Sequence, residues 1–221
     1  MLYLYTGTLH TPVMSDKKVR LLCLHGYRQS DTTFREKIGS FRKGLRKLID
    51  PVFISAPHKI GDEDPPQFGW WFSSLDKTYR ASEESDVDTG FSESIDVVRE
   101  TLQRRGPFDG VLAFSQGASL LSVICSMHDK EPEKFPFKFA IFISGFKSRS
   151  RRHAHFYDSL ISCPSLHVYG DTDAVIPKKW SEELAKGFVT AQTHCHVGGH
   201  YLPATASDRS VYSTFISQFI S

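Results

Sequence analysis

The sequence predicts an α/β fold with a mostly parallel central sheet and helices on both faces. Short apolar runs alternate about six times with longer amphipathic segments, as strand–helix–strand units do. Several of the short runs are apolar throughout, which is typical of parallel strands covered on both faces. At 221 residues, 40% of them apolar and 24% charged, the chain is long enough to bury one sizeable core.

Each predicted element has its own sequence signal. Strands are apolar runs that end in glycine or a polar turn, and we place them at 19–26, 51–57, 108–115, 137–146, 165–173 and within 193–200. Helices show apolar residues at three- and four-residue spacing, and we place them at 30–49, 90–106, 116–128, 178–188 and 207–221. Ser30 or Asp31 is the expected N-cap of the first helix.

Two segments fall outside this alternation. Residues 58–89 are rich in Pro, Gly, Asp, Glu and Ser, and they are longer than an ordinary connection. We therefore predict a lid-like insertion there, carrying the aromatic run "FGWWF". Residues 1–18 are expected to form a loose extension ahead of one domain that spans 19–221.

The composition argues against several classes of partner. The formal charge of +2 gives no sign of a nucleic-acid or membrane partner, and the basic stretch 146–155 is interpreted as a solvated loop. The four cysteines lack metal-ligand spacing, so no metal is expected and reduced thiols are favoured. We find no signal peptide or membrane-spanning apolar run, so a cytoplasmic protein without stable membrane insertion is predicted.

Chemically active side chains follow three of the predicted strands. Ser115 ends "GVLAFS", Asp173 lies in "GDTD" after the next-but-one strand, and His200 ends "VGGH". In open α/β sheets ligands bind at the carboxyl ends of the strands, so these residues are expected to meet. Ser, Asp, His is also the chain order of an α/β-hydrolase triad, with Asp171 as the less favoured alternative acid.

The serine occupies a tight turn from strand to helix. Such a turn lifts a hydroxyl clear of the sheet and needs small residues on either side, here Ala113 and Gly117. Ser115 is the predicted nucleophile, His200 the base and Asp173 the group that orients it. The backbone N–H groups of Gln116 and Tyr27 are the predicted oxyanion hole.

Several motifs together resemble the FSH family of serine hydrolases. They are "LCLHGYRQS", "FREKIGSFRKGL", "GWWF", "GPFDGVLAFSQGA", "FKFAIFISGF", "PSLHVYGDTDAVIP" and "GGHYLP", and the resemblance runs from about residue 19 to the end of the sequence. It implies an α/β-hydrolase with carboxylesterase or thioesterase activity and no cofactor. It assigns the nucleophile to Ser115, the acid to Asp173 and the base to His200. Ala113 departs from the glycine common in animal members.

We expect a small-molecule acyl ester as substrate, with a medium or long acyl chain and an acyl-enzyme intermediate. Trp70, Trp71 and Phe146 are the predicted acyl-binding wall, although the tryptophans equally suit anchoring of the 58–89 insertion to the core. Two alternatives remain: an acyl-thioesterase or protein deacylase, and a non-catalytic binding module on a hydrolase scaffold. The sequence gives no prediction of oligomeric state.

Overall fold

Six parallel strands form the central sheet in the computed structural model, which describes residues 18–220. The sheet order is β2-β1-β5-β6-β7-β8, and every neighbouring pair is parallel. This confirms the mostly parallel sheet expected from the alternating sequence pattern. The strands are β1 Val19–Leu24, β2 Ile49–Ile54, β5 Gly110–Phe114, β6 Phe139–Ile143, β7 Ser165–Gly170 and β8 Ala191–His196.

A small antiparallel hairpin and six α-helices complete the described fold. The hairpin strands are β3 His58–Ile60 and β4 Gln67–Gly69. A single 3₁₀ helix, Arg151–Tyr157, follows β6. The α-helices are α1 Asp31–Lys37, α2 Gly39–Gly44, α3 Phe91–Arg104, α4 Gln116–Lys130, α5 Lys178–Ala185 and α6 Ala206–Ser217.

Two apolar clusters cover the two faces of the sheet. Alternate residues of a strand point to opposite faces, so Leu22 and Leu24 of β1 pack with α3, α4 and α5. Leu21 and Cys23 of the same strand pack with α1, α2 and α6 on the other face. The helices therefore lie on both faces of the sheet, as the sequence predicts.

The predicted helix 30–49 is broken into two. Ser30 caps α1, because its hydroxyl accepts a hydrogen bond from the Thr33 N–H at 3.1 Å. The backbone leaves helical geometry at Ile38, with φ −95° and ψ 25°, and α2 begins at Gly39. Glycine is a poor residue for a helix interior, so its position accounts for the break.

The 58–89 segment packs against the rest of the chain. Phe68 pairs with Gln29 beyond the end of β1, and Phe72 pairs with Thr89. The aromatic side chains Trp70, Trp71 and Phe72 are buried. This segment is anchored by apolar contacts close to the carboxyl end of the sheet; its predicted lid-like behaviour remains a prediction, as does the single domain. Residues 1–17 of the expected N-terminal extension lie outside the described part of the chain.

The basic stretch 146–155 is not a free solvated loop. Arg149, Arg151 and Arg152 form ion pairs with Glu84, Asp86 and Asp88 of the insertion, at 2.8 to 3.1 Å. The backbone joins the same two segments, since the Arg151 N–H donates to the Ser85 carbonyl. We call this contact the arginine strap. Each of the three arginines is thus paired with an acidic residue 64 or 65 positions away in the chain.

The described residues carry four free cysteines, of which Cys23, Cys125 and Cys163 are buried and Cys195 is exposed. Within residues 18–220, every helix is too short or too polar to cross a membrane.

Candidate active site

Ser115 lies at a strained turn between β5 and α4. Its backbone adopts φ 52° and ψ −115°, a region that non-glycine residues rarely occupy. The helix begins at the next residue, and its approach to β1 is close: a Cβ at Gly117 would lie 2.5 Å from the His25 carbonyl oxygen. Only glycine fits at that position, whereas Ala113 is accommodated two residues before the serine, fully buried in β5.

The structure brings together the three residues expected from the sequence. Nε2 of His200 lies 3.0 Å from Oγ of Ser115, and Nδ1 of His200 lies 2.8 Å from Oδ2 of Asp173. Both distances are within hydrogen-bond range. The alternative acid, Asp171, instead accepts a hydrogen bond from Lys178 at 2.8 Å on the surface. The acid in contact with the imidazole is therefore Asp173.

Four hydrogen bonds hold the Asp173 carboxylate. Oδ1 accepts from the backbone N–H groups of Val175 and Ile176 at 2.9 and 2.8 Å, and Oδ2 accepts from the Ser144 hydroxyl at 2.8 Å as well as contacting His200. Burial raises the pKa of Asp173, but the hydrogen bonds from His200, Ile176 and Ser144 outweigh it and hold the pKa below its ordinary value. The carboxylate is therefore charged and fixed in orientation beside the imidazole.

Ser144 is a site residue that the sequence reasoning missed. It is fully buried, directly follows β6, and adopts the unusual φ of 47°. Because β6 lies between β5 and β7 in the sheet, its carboxyl end falls between Ser115 and Asp173. The sequence carries a signal for Ser144: the strand in "FISG" ends on a polar residue, as do the motifs that carry Ser115, Asp173 and His200.

The loop that carries His200 is held against the end of β7. The N–H of Asp171 donates to the His196 carbonyl at 2.8 Å, and the N–H of Thr172 donates to the Gly198 carbonyl at 3.2 Å. The imidazole of His200 packs on the Phe114 ring, with centroids 4.7 Å apart. These contacts place the ring between the carboxylate and the serine hydroxyl.

Two backbone N–H groups on the turns after β5 and β1 lack a hydrogen-bond partner within the described residues. The first helical hydrogen bond of α4 runs from the Ser119 N–H to the Ser115 carbonyl, so the Gln116 N–H precedes it and makes no bond within the helix. The N–H of Tyr27 likewise has no protein partner among the described residues. Both predicted oxyanion donors are thus available, on turns that follow the adjacent strands β5 and β1.

Two buried side chains fix these turns. Gln116 uses its side chain to accept from the Trp70 N–H at 2.9 Å and to donate to the Trp71 carbonyl at 2.8 Å. His25 accepts from the Ala56 N–H on Nε2, so Nδ1 carries the ring hydrogen and donates to the Gly26 carbonyl at 2.7 Å. Burial lowers the pKa of His25 to about 4, against the opposing hydrogen bond. The ring is therefore neutral at neutral pH.

The expected aromatic wall does not form. Trp70, Trp71 and Phe146 are 0%, 1% and 1% exposed, and Nε1 of Trp70 donates to the His25 carbonyl. The two tryptophans belong to the apolar cluster on the face of the sheet covered by α3, α4 and α5. The hydrogen bond from the Trp70 N–H to the Gln116 side chain holds their backbone against this cluster. They anchor the insertion, and the structure does not support the proposed acyl-binding role for these three residues.

An apolar cavity of about 310 Å³ lies instead beside His200. This volume is at the lower end of the range for small-molecule sites. Its walls come from α1, the end of β5 and the loop after His200, so it opens next to the imidazole. The lining residues are Gln29, Phe34, Lys37, Ile38, Phe114, His200, Tyr201 and Leu202. Among the described residues, no group of three or more His, Cys, Asp or Glu side chains is placed to hold a metal ion.

Comparison with known proteins identifies the family. The family model described as "Serine hydrolase (FSH1)" matches residues 14–212. The chain belongs to the FSH1 serine hydrolase family. "Esterase OVCA2" of Danio rerio is 41% identical over 228 residues, covering 93% of this chain and all of the relative. This FSH1 family member is a hydrolase of carboxylic esters.

Solved structures place the fold among the α/β-hydrolases. The Bacillus cereus carboxylesterase superposes with a TM-score of 0.63 at 13% identity, covering 93% of this chain and 90% of that one. The Zea mays acyl-protein thioesterase 2 has a TM-score of 0.61 at 18% identity, covering 92% and 94%. At this level of identity the likeness concerns the fold alone, and it confirms the predicted α/β-hydrolase class.

Proposed function

We propose that this FSH1 family member hydrolyses acyl esters through Ser115, His200 and Asp173. The observation that carries the proposal is the continuous contact from Oγ of Ser115 through the His200 ring to Oδ2 of Asp173, at 3.0 and 2.8 Å. A serine hydroxyl becomes a competent nucleophile when a neighbouring base takes its proton, and a third group orients that base.

The reaction proceeds in two steps. Oγ of Ser115 attacks the ester carbonyl while Nε2 of His200 takes the hydroxyl proton, and the same nitrogen then returns that proton to the departing alcohol. Water attacks the acyl-enzyme with His200 again as base, which releases the carboxylic acid and restores the serine. Asp173 stabilises the imidazolium in both steps, and the N–H groups of Tyr27 and Gln116 stabilise the oxyanion.

Active-site labelling tests this assignment. A fluorophosphonate probe should modify the wild-type protein at Ser115, with the modified peptide identified by mass spectrometry, because only an activated serine displaces the leaving group quickly. Ser115→Ala should abolish labelling and ester hydrolysis, whereas Ser119→Ala, a buried serine one turn along α4, should keep both. Labelling that persists in Ser115→Ala would contradict the proposal, and a complete lack of labelling would favour the non-catalytic binding module.

The acyl chain is proposed to occupy the apolar cavity beside His200. A series of p-nitrophenyl esters from acetate to laurate should show kcat/KM rising by up to about fourfold per methylene, until the cavity is filled. That step corresponds to about 0.8 kcal/mol for each buried CH₂. Leu202→Trp should fill the cavity and flatten the series, leaving acetate turnover unchanged.

Leu160→Trp is the matched control, since Leu160 is exposed and does not line the cavity. A series that is flat in the wild type, or Leu202→Trp activity reduced equally for acetate and laurate, would contradict the acyl assignment. Measuring matched thioesters beside the oxygen esters decides between the esterase and the thioesterase alternatives.

A further inference from the structure

A second concave site lies on the flank of α1 and α2, away from the serine. This groove has a volume of about 520 Å³ and runs along the edge strand β2. Five cationic side chains and one carboxylate line it, together with a half-buried aromatic ring from β2. We call it the basic groove. Its lining residues are Lys18, Arg35, Gly39, Arg42, Lys43, Arg46, Ile49, Asp50, Pro51 and Phe53.

The positive charge is concentrated in one stretch of sequence. Residues 35–47, "REKIGSFRKGLRK", contain six basic residues and one acidic residue, a formal charge of +5. The whole chain carries +2, so all other residues together sum to −3. The near-neutral net charge of the sequence therefore does not reveal this strongly basic patch.

The groove cations lack acidic partners within the described residues. The arginine strap neutralises its basic side chains, but no carboxylate forms an ion pair with the groove cations. Asp50, the acidic residue of the lining, pairs with Arg20 at 3.9 Å. Arg42, in α2, and Arg46, just after that helix, line the same groove, and like charges held close together repel each other. The arrangement therefore has an electrostatic cost that an anionic ligand would relieve.

Two of the guanidinium groups are already oriented. Nη1 of Arg42 donates to the Arg35 carbonyl at 2.9 Å, and its Cζ lies 5.9 Å from the centroid of the Phe53 ring. Nη1 of Arg46 donates to the Lys43 carbonyl at 3.0 Å. Each keeps its remaining N–H groups for a ligand, and a guanidinium fixed in this way loses little conformational freedom when it binds phosphate.

We propose that the basic groove binds a soluble ligand that carries two or more phosphate groups, of the size of a nucleoside diphosphate. Phosphate matches several converging guanidinium and ammonium donors, and the concave shape suits a compact ligand better than a flat lipid surface. Helix α1 separates this groove from the apolar cavity, since Phe34 lines the cavity and Arg35 lines the groove.

Calorimetric titration of the full-length protein with adenosine 3′,5′-diphosphate and with pyrophosphate tests the proposal. Both should bind with an affinity that falls as salt rises. The triple variant Arg42→Gln, Lys43→Gln, Arg46→Gln should weaken binding about tenfold or more, because it removes several charge-assisted hydrogen bonds. The control variant Arg99→Gln, Arg104→Gln, Lys179→Gln removes the same charge from exposed ion pairs elsewhere and should bind as the wild type does.

Other results would overturn the proposal. A wild type that binds neither ligand, combined with a lowered melting temperature of the triple variant, would assign these cations to stabilisation of the fold alone. Equal weakening in both variants would indicate a non-specific charge effect. Binding confined to phosphatidic acid vesicles, with none to the soluble ligands or to phosphatidylcholine vesicles, would assign the face to a lipid surface. Turnover of p-nitrophenyl acetate, measured in parallel, reports independently on the reaction proposed at Ser115.

Discussion

At the scale of single residues, Ser144 supports the proposed acid. Its hydroxyl donates to Oδ2 of Asp173, the same oxygen that contacts His200. Ser144 is fully buried, so it does not touch a substrate and acts through the carboxylate. Its φ of 47° is a strained conformation for a residue with a side chain, which indicates that the hydroxyl is held in place by its surroundings.

Ser144→Ala is expected to lower kcat on the order of tenfold with little change in KM, from the loss of one charge-assisted hydrogen bond. That hydrogen bond helps to lower the pKa of Asp173, so this pKa should rise in the variant. On acidification, the activity of the variant should therefore begin to fall at a higher pH than that of the wild type. Steady-state kinetics from pH 4 to 8 measure both effects.

Ser144→Gly is the informative companion, because it also lacks the hydroxyl but relieves the positive φ. It should show the same shift of the acidic limb with a higher melting temperature than Ser144→Ala. An unshifted pH profile in both variants would show that Ser144 serves the fold and not the carboxylate.

At the scale of elements, the arginine strap joins the insertion to the 3₁₀ helix. Its ion pairs are exposed, with Arg151 and Asp86 side chains 61% and 68% accessible, so each contributes little alone and is screened by salt. Arg151 makes two hydrogen bonds to Asp86, which lower the pKa of that carboxyl. The strap is linked to the chain near Leu75, which is 89% exposed, because Ser85 pairs with the backbone of Arg151 and its hydroxyl donates to the Ser73 carbonyl.

Arg151→Gln should speed chymotryptic cleavage near Leu75 a few-fold, because the insertion detaches locally more often without the paired guanidinium. Raising the salt concentration should reduce the difference between variant and wild type. Arg104→Gln, which removes an exposed ion pair within α3, serves as the control. Equal cleavage rates for all three proteins at low salt would contradict the restraining role.

At the scale of the whole molecule, two buried histidines make stability dependent on pH. Burial lowers the pKa of His25 to about 4 and that of His167 to about 3, against 6.5 for a free imidazole. The unfolded chain therefore binds protons that the folded chain does not, from pH 6.5 downward. The free energy of unfolding consequently falls as pH falls through this window.

Between pH 7.5 and 5.5, each of these histidines should lower the free energy of unfolding by about 1.4 kcal/mol. Urea denaturation at both pH values measures the total. His167→Phe keeps the aromatic packing against Phe142 and Phe188. In this variant the free energy of unfolding should fall by about 1.4 kcal/mol less than in the wild type between the two pH values. A loss in the variant equal to that of the wild type would contradict this account.

Local signals explain what the sequence predicted. The strands, the turn at Ser115 and the convergence of Ser115, Asp173 and His200 all follow from short motifs at strand ends. The burial of Trp70 and Trp71 was not predictable in this way, because it depends on Gln116, some 45 residues away. The arginine strap and the basic groove likewise depend on which charges meet in space, and composition does not encode that.

The close approach of Gly170 to the loop of His200 has a mechanical consequence. A methyl group at this position would collide with the carbonyl oxygens of Gly198 and Gly199. It would push the His200 loop away from the end of β7 and so displace the imidazole from Asp173. The turn that carries Ser115 would stay in place. The absence of a side chain at Gly170 thus sets the alignment of Ser115, His200 and Asp173.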